Sequence, residues 1–275
     1  MSTNRELLFR YKKQGIPDTV IHFALEECNG FNYVLLTQRL DKDIKDENRF
    51  VETMSRYQQG EMIEYIFNKA FFLSKPFYVN KHVLIPRQET EQLVLSTINR
   101  IKNMFGDKKI TVADVCTGSG VIGVSLANVF KENTFYLTDI SSEALDVALI
   151  NSSKLNNVRC LCGDMLEPLI KENIKLDALI CNPPYIANIE TIDKKTWEQE
   201  PHLALLADPA TKFYESILSN YQKVMNDKFL LAFEIGEEME EDLTQLIKKC
   251  CPDASFSFEK DIYNKTRFLF IEKQK

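Results

Sequence analysis

The run Thr111-Val112-Ala113-Asp114-Val115-Cys116-Thr117-Gly118-Ser119-Gly120-Val121-Ile122-Gly123 passes from a β-branched apolar segment through a glycine cluster into an apolar helical pattern. Glycine is scarce in this chain, nine in 275 residues, yet three of the nine fall between positions 118 and 123. A strand that turns through glycines into a helix is the opening unit of a doubly wound α/β fold. Working outward, strand-like runs at Thr134 to Thr138, Val158 to Leu161, Leu176 to Cys181 and Phe229 to Ile235 alternate with helical patterns at 119–131, 141–155 and 209–226. Connections of helical length between strands predict a mostly parallel sheet. Ala254 to Phe258 and Arg267 to Ile271 flank a turn at 263–265, which predicts an antiparallel hairpin at the sheet edge. Upstream, the first sixty residues read as short amphipathic helices: Leu7, Leu8 and Tyr11; Val20, Ile21, Ala24 and Leu25; Phe31 to Leu40; and Asp46 to Gln59. From Glu64 aromatic and β-branched residues take over, through Tyr65, Ile66, Phe71, Phe72, Phe77, Tyr78 and Val79, and predict a hairpin linker reversing at 74–76.

The glycine turn also carries chemistry. Glycines let the backbone approach a ligand closely, and the start of the following helix offers unpaired amides, so the turn points to a nucleoside. Asp139, at the end of the next strand, stands where a carboxylate bonds ribose hydroxyls. The alternative is a tight structural turn with Asp139 capping the helix that starts at Ser141-Ser142. Gly-x-Gly-x-x-Gly fits a nicotinamide dinucleotide as well as S-adenosylmethionine. Asp114, four residues before Gly118, would repel a pyrophosphate but tolerates a sulfonium ligand, and so favours S-adenosylmethionine. Asp164, followed by Met165, occupies the place where the adenine amine is bonded.

After the fourth strand comes Asn182-Pro183-Pro184-Tyr185, at the carboxyl edge where open sheets place their ligands. The prolines fix φ and remove two donors, leaving a stiff turn that presents oxygen acceptors beside an aromatic ring. A planar amide or amino nitrogen is the natural guest. Such a nitrogen is a poor nucleophile because its lone pair is delocalised. If the Asn182 side-chain oxygen and the Pro183 carbonyl each accept one N–H, the lone pair is turned toward an electrophilic methyl carbon, and Tyr185 could stack on the flat group. Orienting the reactants in this way is worth on the order of 7–11 kcal/mol in the best intramolecular cases.

Composition narrows the classes. With 44% hydrophobic and 27% charged residues and no apolar run of the length a spanning helix needs, the chain reads as globular rather than membrane-spanning. No basic n-region precedes an apolar stretch at the N-terminus, so a cytoplasmic address is expected. Seven cysteines without a Cys-x-x-Cys spacing read as reduced thiols, and three scattered histidines give no metal site. The net charge of −6 argues against direct nucleic-acid binding. The acidic run Glu237 to Asp242 reads as a helix start, and Trp197 as either a lid anchor or a loop hydrophobe.

Together, Leu84-Ile85-Pro86-Arg87-Gln88-Glu89-Thr90-Glu91, the segment Asp114 to Gly120, Asn182 to Tyr185, Glu200-Pro201 and Ala204-Leu205 make the chain resemble the release factor glutamine methyltransferases, the PrmC/HemK family. The resemblance implies a class I, Rossmann-like methyltransferase with a doubly wound, mostly parallel sheet and a C-terminal antiparallel hairpin, preceded by a small helical bundle. It implies a helical substrate-docking domain over 1–62, a hairpin linker over 63–86 and a methyltransferase domain over 87–275. It also implies methyl transfer from S-adenosylmethionine, giving S-adenosylhomocysteine, to the glutamine side chain in the Gly-Gly-Gln loop of class 1 release factors, the expected partners. Carried over by position, the cofactor would be held by Asp114, Cys116, Thr117, Gly118, Ser119, Gly120, Asp139, Asp164, Met165 and Asn182, and the glutamine by Asn182, Pro183, Pro184 and Tyr185. The segment around Pro86, Arg87, Thr90 and Glu91 resembles the family's approach to the active site; alternatively Arg87 and Glu91 form a pair of their own at a helix start. Three departures stand out: Cys116 replaces the usual first glycine, position 88 is Gln rather than Pro, and Asp208 to Thr211 replaces a loop with Asp-Gly. Two other functions share these motifs. One is methylation of adenine N6 or guanine N2 in DNA or RNA; the other is a catalytically silent S-adenosylmethionine-binding protein.

Overall fold

The computed structural model of the chain describes residues 1–274, which divide into two compact units between Lys69 and Ala70. The first unit is built from α1 (Asn4–Lys12), α2 (Asp18–Asn29), α3 (Tyr33–Thr37), α4 (Glu47–Gln58) and α5 (Ile63–Phe67). Leu7, Ile21, Leu25, Leu36, Ile44, Phe50 and Met54 are all essentially inaccessible and form its core, each worth roughly 1.5–3 kcal/mol of burial. Thr3 and Glu6 close α1 with a capping box, and Gly30 ends α2 in the left-handed conformation at φ 68°. Its buried polar groups are mutually satisfied: Asn29 Nδ2 donates to Asn4 Oδ1 at 2.8 Å, and Asn4 Nδ2 donates to the Arg39 and Lys42 carbonyls at 3.0 Å.

The expected boundaries shift here. Residues 63–67, read as the beginning of a hairpin linker, form helix α5, with Ile63 buried in the helical core. Tyr65 and Ile66 have high strand propensity, but packing against the other helices outweighs it. The hairpin is shorter, β1 (Ala70–Phe72) and β2 (Lys75–Phe77), and reverses through Leu73 and Ser74 at φ 48° and 59°.

The second unit continues through α6 (Gln88–Phe105), β3 (Thr111–Val115), α7 (Val121–Val129), β4 (Thr134–Asp139), α8 (Ser142–Ser152), β5 (Val158–Cys162), α9 (Glu167–Lys171) and β6 (Leu176–Cys181). It ends with α10 (Lys194–Gln199), α11 (Lys212–Asn220), β7 (Met225–Glu234), α12 (Glu240–Cys250), β8 (Ser255–Lys260) and β9 (Thr266–Lys273). The main sheet runs β5-β4-β3-β6-β7-β9-β8, and β9 is antiparallel to both of its neighbours. The final hairpin thus extends a parallel sheet, as expected, with its second strand on the inside. Two apolar layers cover the sheet faces, one gathering Leu179, Leu231 and Phe233 with Tyr214 and Ile217, the other Val112, Leu137 and Ile180 with Leu93 and Ile122. Arg100 of α6 pins the far edge, pairing with Glu259 and Glu272 and lying 4.0 Å over the Phe270 ring. Helix α7 lies close to the sheet because residue 123 has no side chain; a Cβ there would stand 2.7 Å from Leu137 and 3.0 Å from the Asp114 Cβ.

Candidate functional site

The strand order reverses at β3, which lies between β4 and β6, with Val115 and Cys181 in register. The turn after β3 and the turn after β6 therefore leave the sheet side by side at its carboxyl edge. A cavity of about 310 Å³ lies there, lined by Cys116, Thr117, Gly118 and Ser119 from the first turn and by Asn182 and Pro184 from the second. Asp139, Asp164, Met165 and Thr90 line it as well, with Val83, Val121, Ile122, Ile140 and Phe213 giving it apolar walls.

Asp139 braces the glycine turn from the neighbouring strand. Its Oδ2 accepts from the Gly118 amide at 2.8 Å and its Oδ1 from the Ser141 amide at 3.0 Å. Burial raises its pKa and these bonds lower it. The cap of α8 is Ser141, whose hydroxyl accepts from the Ala144 amide, so Asp139 is not the helix cap. Each carboxylate oxygen retains a second lone pair for a ligand hydroxyl. Asp164 is exposed, and Met165, the next residue, is buried. Cys116 adopts φ 58°, the left-handed conformation that glycine reaches without strain, so the substitution keeps the turn's shape. Its sulfur rests 3.7 Å from that of Met165.

Four residues expected at the cavity do not line it. Asp114 is fully buried beneath the turn, where its Oδ2 accepts from the Thr117 hydroxyl at 2.6 Å and the Gly123 amide at 2.8 Å. Burial pushes its pKa up to about 7, and its Oδ1 has no partner. Asp114 thus shapes the turn rather than touching a ligand, and its charge acts on a bound group less than its position in the sequence implies. Gly120, at φ 81°, sits 3.2 Å (as a hypothetical Cβ) from Ala148 and Leu137 and faces those side chains. Pro183 is buried. Tyr185 packs on the core and donates its hydroxyl to Glu234 Oε1 at 3.4 Å, so its ring serves the scaffold instead of stacking in the cavity. Burial raises the Tyr185 pKa, which keeps the phenol a donor.

Asn182 is half-buried, and its Nδ2 donates to Thr90 Oγ1 at 3.3 Å. With the amide nitrogen committed, Oδ1 is left as the acceptor. Thr90 in turn donates to Glu234 Oε2 at 2.7 Å. Arg87 and Glu91 do not pair with each other. Arg87 pairs with Glu200, whose buried carboxylate also accepts from the Ile85 amide at 3.2 Å, and Glu91 accepts from the Leu73 amide at 2.7 Å. Glu200 thereby ties the segment after the tetrapeptide to the Pro86 approach. Trp197 stacks on His202 within that segment, centroids 3.5 Å apart. Glu234 was not among the expected site residues, and Thr90 was expected only on the approach to the site, with no contact assigned to it. The one signal for Glu234 is an acid closing the apolar run of β7.

Residues 90–199 match the methyltransferase small domain family. The chain is 35% identical to a release factor glutamine methyltransferase of Bacillus cereus over 87% of its own length and 86% of the relative's. It is 34% identical to a release factor glutamine methyltransferase of Mycoplasma mycoides subsp. mycoides, over 92% and 91% of the two chains. Its fold matches the crystal structure of a ribosomal protein L11 methylase from Lactobacillus delbrueckii subsp. bulgaricus with a TM-score of 0.51 and 19% identity, covering 72% of this chain and 84% of that one.

Proposed function

The chain belongs to the release factor glutamine methyltransferase family, and from that premise we propose how its own residues transfer a methyl group from S-adenosylmethionine to the glutamine of the Gly-Gly-Gln loop in class 1 release factors. The cavity's polar groups suit that cofactor: Asp139 to accept from ribose hydroxyls, exposed Asp164 to accept from the adenine amine, and the Cys116 to Ser119 backbone around the rest. When bound, S-adenosylmethionine supplies an electrophilic methyl carbon next to a positive sulfur.

The single observation that carries the mechanism is the orientation of the Asn182 side chain. Its nitrogen is held by Thr90, so its oxygen accepts one N–H of the substrate carboxamide; the second N–H goes to the carbonyl of Pro183, a buried residue whose main chain must turn toward the cavity for this bond. Both bonds pull the amide nitrogen away from planarity and aim its lone pair. The apolar walls exclude water, which favours a reaction that disperses charge. The proton that the nitrogen must shed on methylation would lie on an N–H already bonded to one of these oxygens, and would leave to solvent when the cavity next opens to water.

Class 1 release factors are the partners in this proposal, met in the cytoplasm. The helical unit is their docking element: α3 leaves Tyr33 53% and Val34 60% exposed, in a unit whose core is already complete. Val34→Asp should raise KM for the release factor and leave kcat unchanged. Labelled methyl groups should appear on a purified release factor and vanish when its loop glutamine is replaced. Label on nucleic acid alone would refute the assignment and favour an exocyclic-amine substrate.

A further inference from the structure

We infer that Glu234, acting through Thr90, is the positioning group that sets which end of the Asn182 carboxamide meets the substrate. This rests on the mechanism above, in which Asn182 must accept. An asparagine amide has nearly the same shape either way round, so packing alone does not select its orientation. Selection falls to the partner, and a threonine hydroxyl can donate or accept. An ionised carboxylate can only accept. With Glu234 Oε2 taking the Thr90 proton at 2.7 Å, the lone pairs left on Thr90 Oγ1 call for a donor, and the Asn182 nitrogen supplies it at 3.3 Å. The second oxygen of Glu234 accepts from Tyr185, three residues beyond Asn182. One carboxylate at the end of β7 thus holds both the start of α6 and the tetrapeptide after β6.

Proton uptake would reverse the direction of this chain. A neutral Glu234 can donate to Thr90, Thr90 can then donate to the Asn182 oxygen, and the amide turns its NH₂ toward the substrate's own NH₂. Donor would face donor. The groups facing Glu234 are Arg267 from β9, Glu89 and Thr90 from α6, Tyr185 from the tetrapeptide, and Tyr214 from α11. Arg267 favours its ionised form and Glu89 opposes it, while burial pushes the carboxyl up to about 7. Methyl transfer should therefore weaken as pH falls through that value.

The test is steady-state methylation of a purified release factor by the full chain, with S-adenosylmethionine affinity measured in parallel. Thr90→Val keeps the side-chain shape and removes the hydroxyl; kcat should fall about 30- to 100-fold, as mis-aimed reacting groups do, with cofactor affinity unchanged. Thr90→Ser should recover most of that loss. Glu234→Gln, which cannot titrate, should lose the acid limb of the kcat profile near pH 7. A Thr90→Val enzyme within about twofold of the wild type would overturn the inference, as would equal damage in Thr90→Ser or an acid limb unchanged in Glu234→Gln. The underlying mechanism fails separately, if the wild-type chain does not label the release factor at all.

Discussion

Two loops leave the sheet side by side, one after β3 and one after β6, and the chain builds them in opposite ways. The first gains its shape from permissive residues: Gly118 and Gly120 at φ 53° and 81°, with Cys116 held in the same left-handed region. The second gains its shape from prolines that remove freedom. Beneath each lies a fully buried carboxylate, Asp114 under the first and Glu234 under the second, and each accepts from a threonine hydroxyl, at 2.6 and 2.7 Å. Burial pushes both acids up to about 7. The helical unit offers a contrast, since its buried Asn4 and Asn29 satisfy each other without ionisable groups. Costly buried acids thus underlie the loops that must present groups in one orientation. In the proposed mechanism the difference between the two loops is what each presents: the glycine turn offers backbone to a cofactor, the proline turn offers acceptors to a nucleophile.

If that division of labour holds, removing a group from the proline loop should damage turnover and spare cofactor binding. Asn182→Ala is expected to lower kcat by about 10²- to 10³-fold, the scale seen when one preorganised polar contact at a reacting centre is lost, while its affinity for S-adenosylmethionine changes little. A comparable loss of affinity would merge the two loops into one role. The reverse should hold on the glycine side. Asp114→Ala leaves the Thr117 hydroxyl and the Gly123 amide without their acceptor and should cost about 2 kcal/mol of unfolding free energy, read from urea denaturation, together with weaker cofactor binding. Asp139→Ala should weaken that binding by about 1–3 kcal/mol, measured by calorimetry; an unchanged dissociation constant would remove Asp139 from the ribose role.

The two buried acids also separate stability from activity. Their folded pKa values lie above those of unfolded carboxyls, near 7 instead of 3.8 for Asp114 and 4.5 for Glu234. The folded state thus holds its protons more tightly, and this contribution to stability is full below about pH 4 and is lost as pH rises toward about 7. Turnover should move the other way over that window, because Glu234 positions Asn182 only when ionised. Denaturation midpoints of Glu234→Gln compared with the wild type across pH 4 to 7 should show a flatter dependence in the variant. The smallest effect is expected at Cys116→Gly, which relieves a left-handed backbone worth about 1 kcal/mol and should raise the unfolding midpoint slightly without altering kcat.

The sheet was legible in the sequence because strand and helix periods alternate cleanly from Thr111 onward and because scarce glycines gather at a single turn. The cavity lining was legible for the same reason, since Asp139 closes β4 and Thr117 to Ser119, Asp164 and Asn182 follow strand ends, where the fold brings ligands. What stayed hidden depends on which way a side chain points across the sheet. Asp114 lies next to the right turn, but the pleat of β3 aims it into the protein, and Tyr185, in the loop beyond β6, is drawn onto Glu234. Residues 63–67 carry strand-prone side chains whose apolar face is claimed by a helical core. The link from Asn182 through Thr90 to Glu234 joins residues 144 positions apart in the case of Thr90 and Glu234, and no local period records it.

The most direct test is a crystal structure of the chain with S-adenosylhomocysteine and a peptide containing Gly-Gly-Gln. The glutamine amide nitrogen should lie within about 3 Å of both Asn182 Oδ1 and the Pro183 carbonyl oxygen, with the Asn182 nitrogen still on Thr90. A complex in which the peptide is bound but those two oxygens point away from the amide would contradict the mechanism.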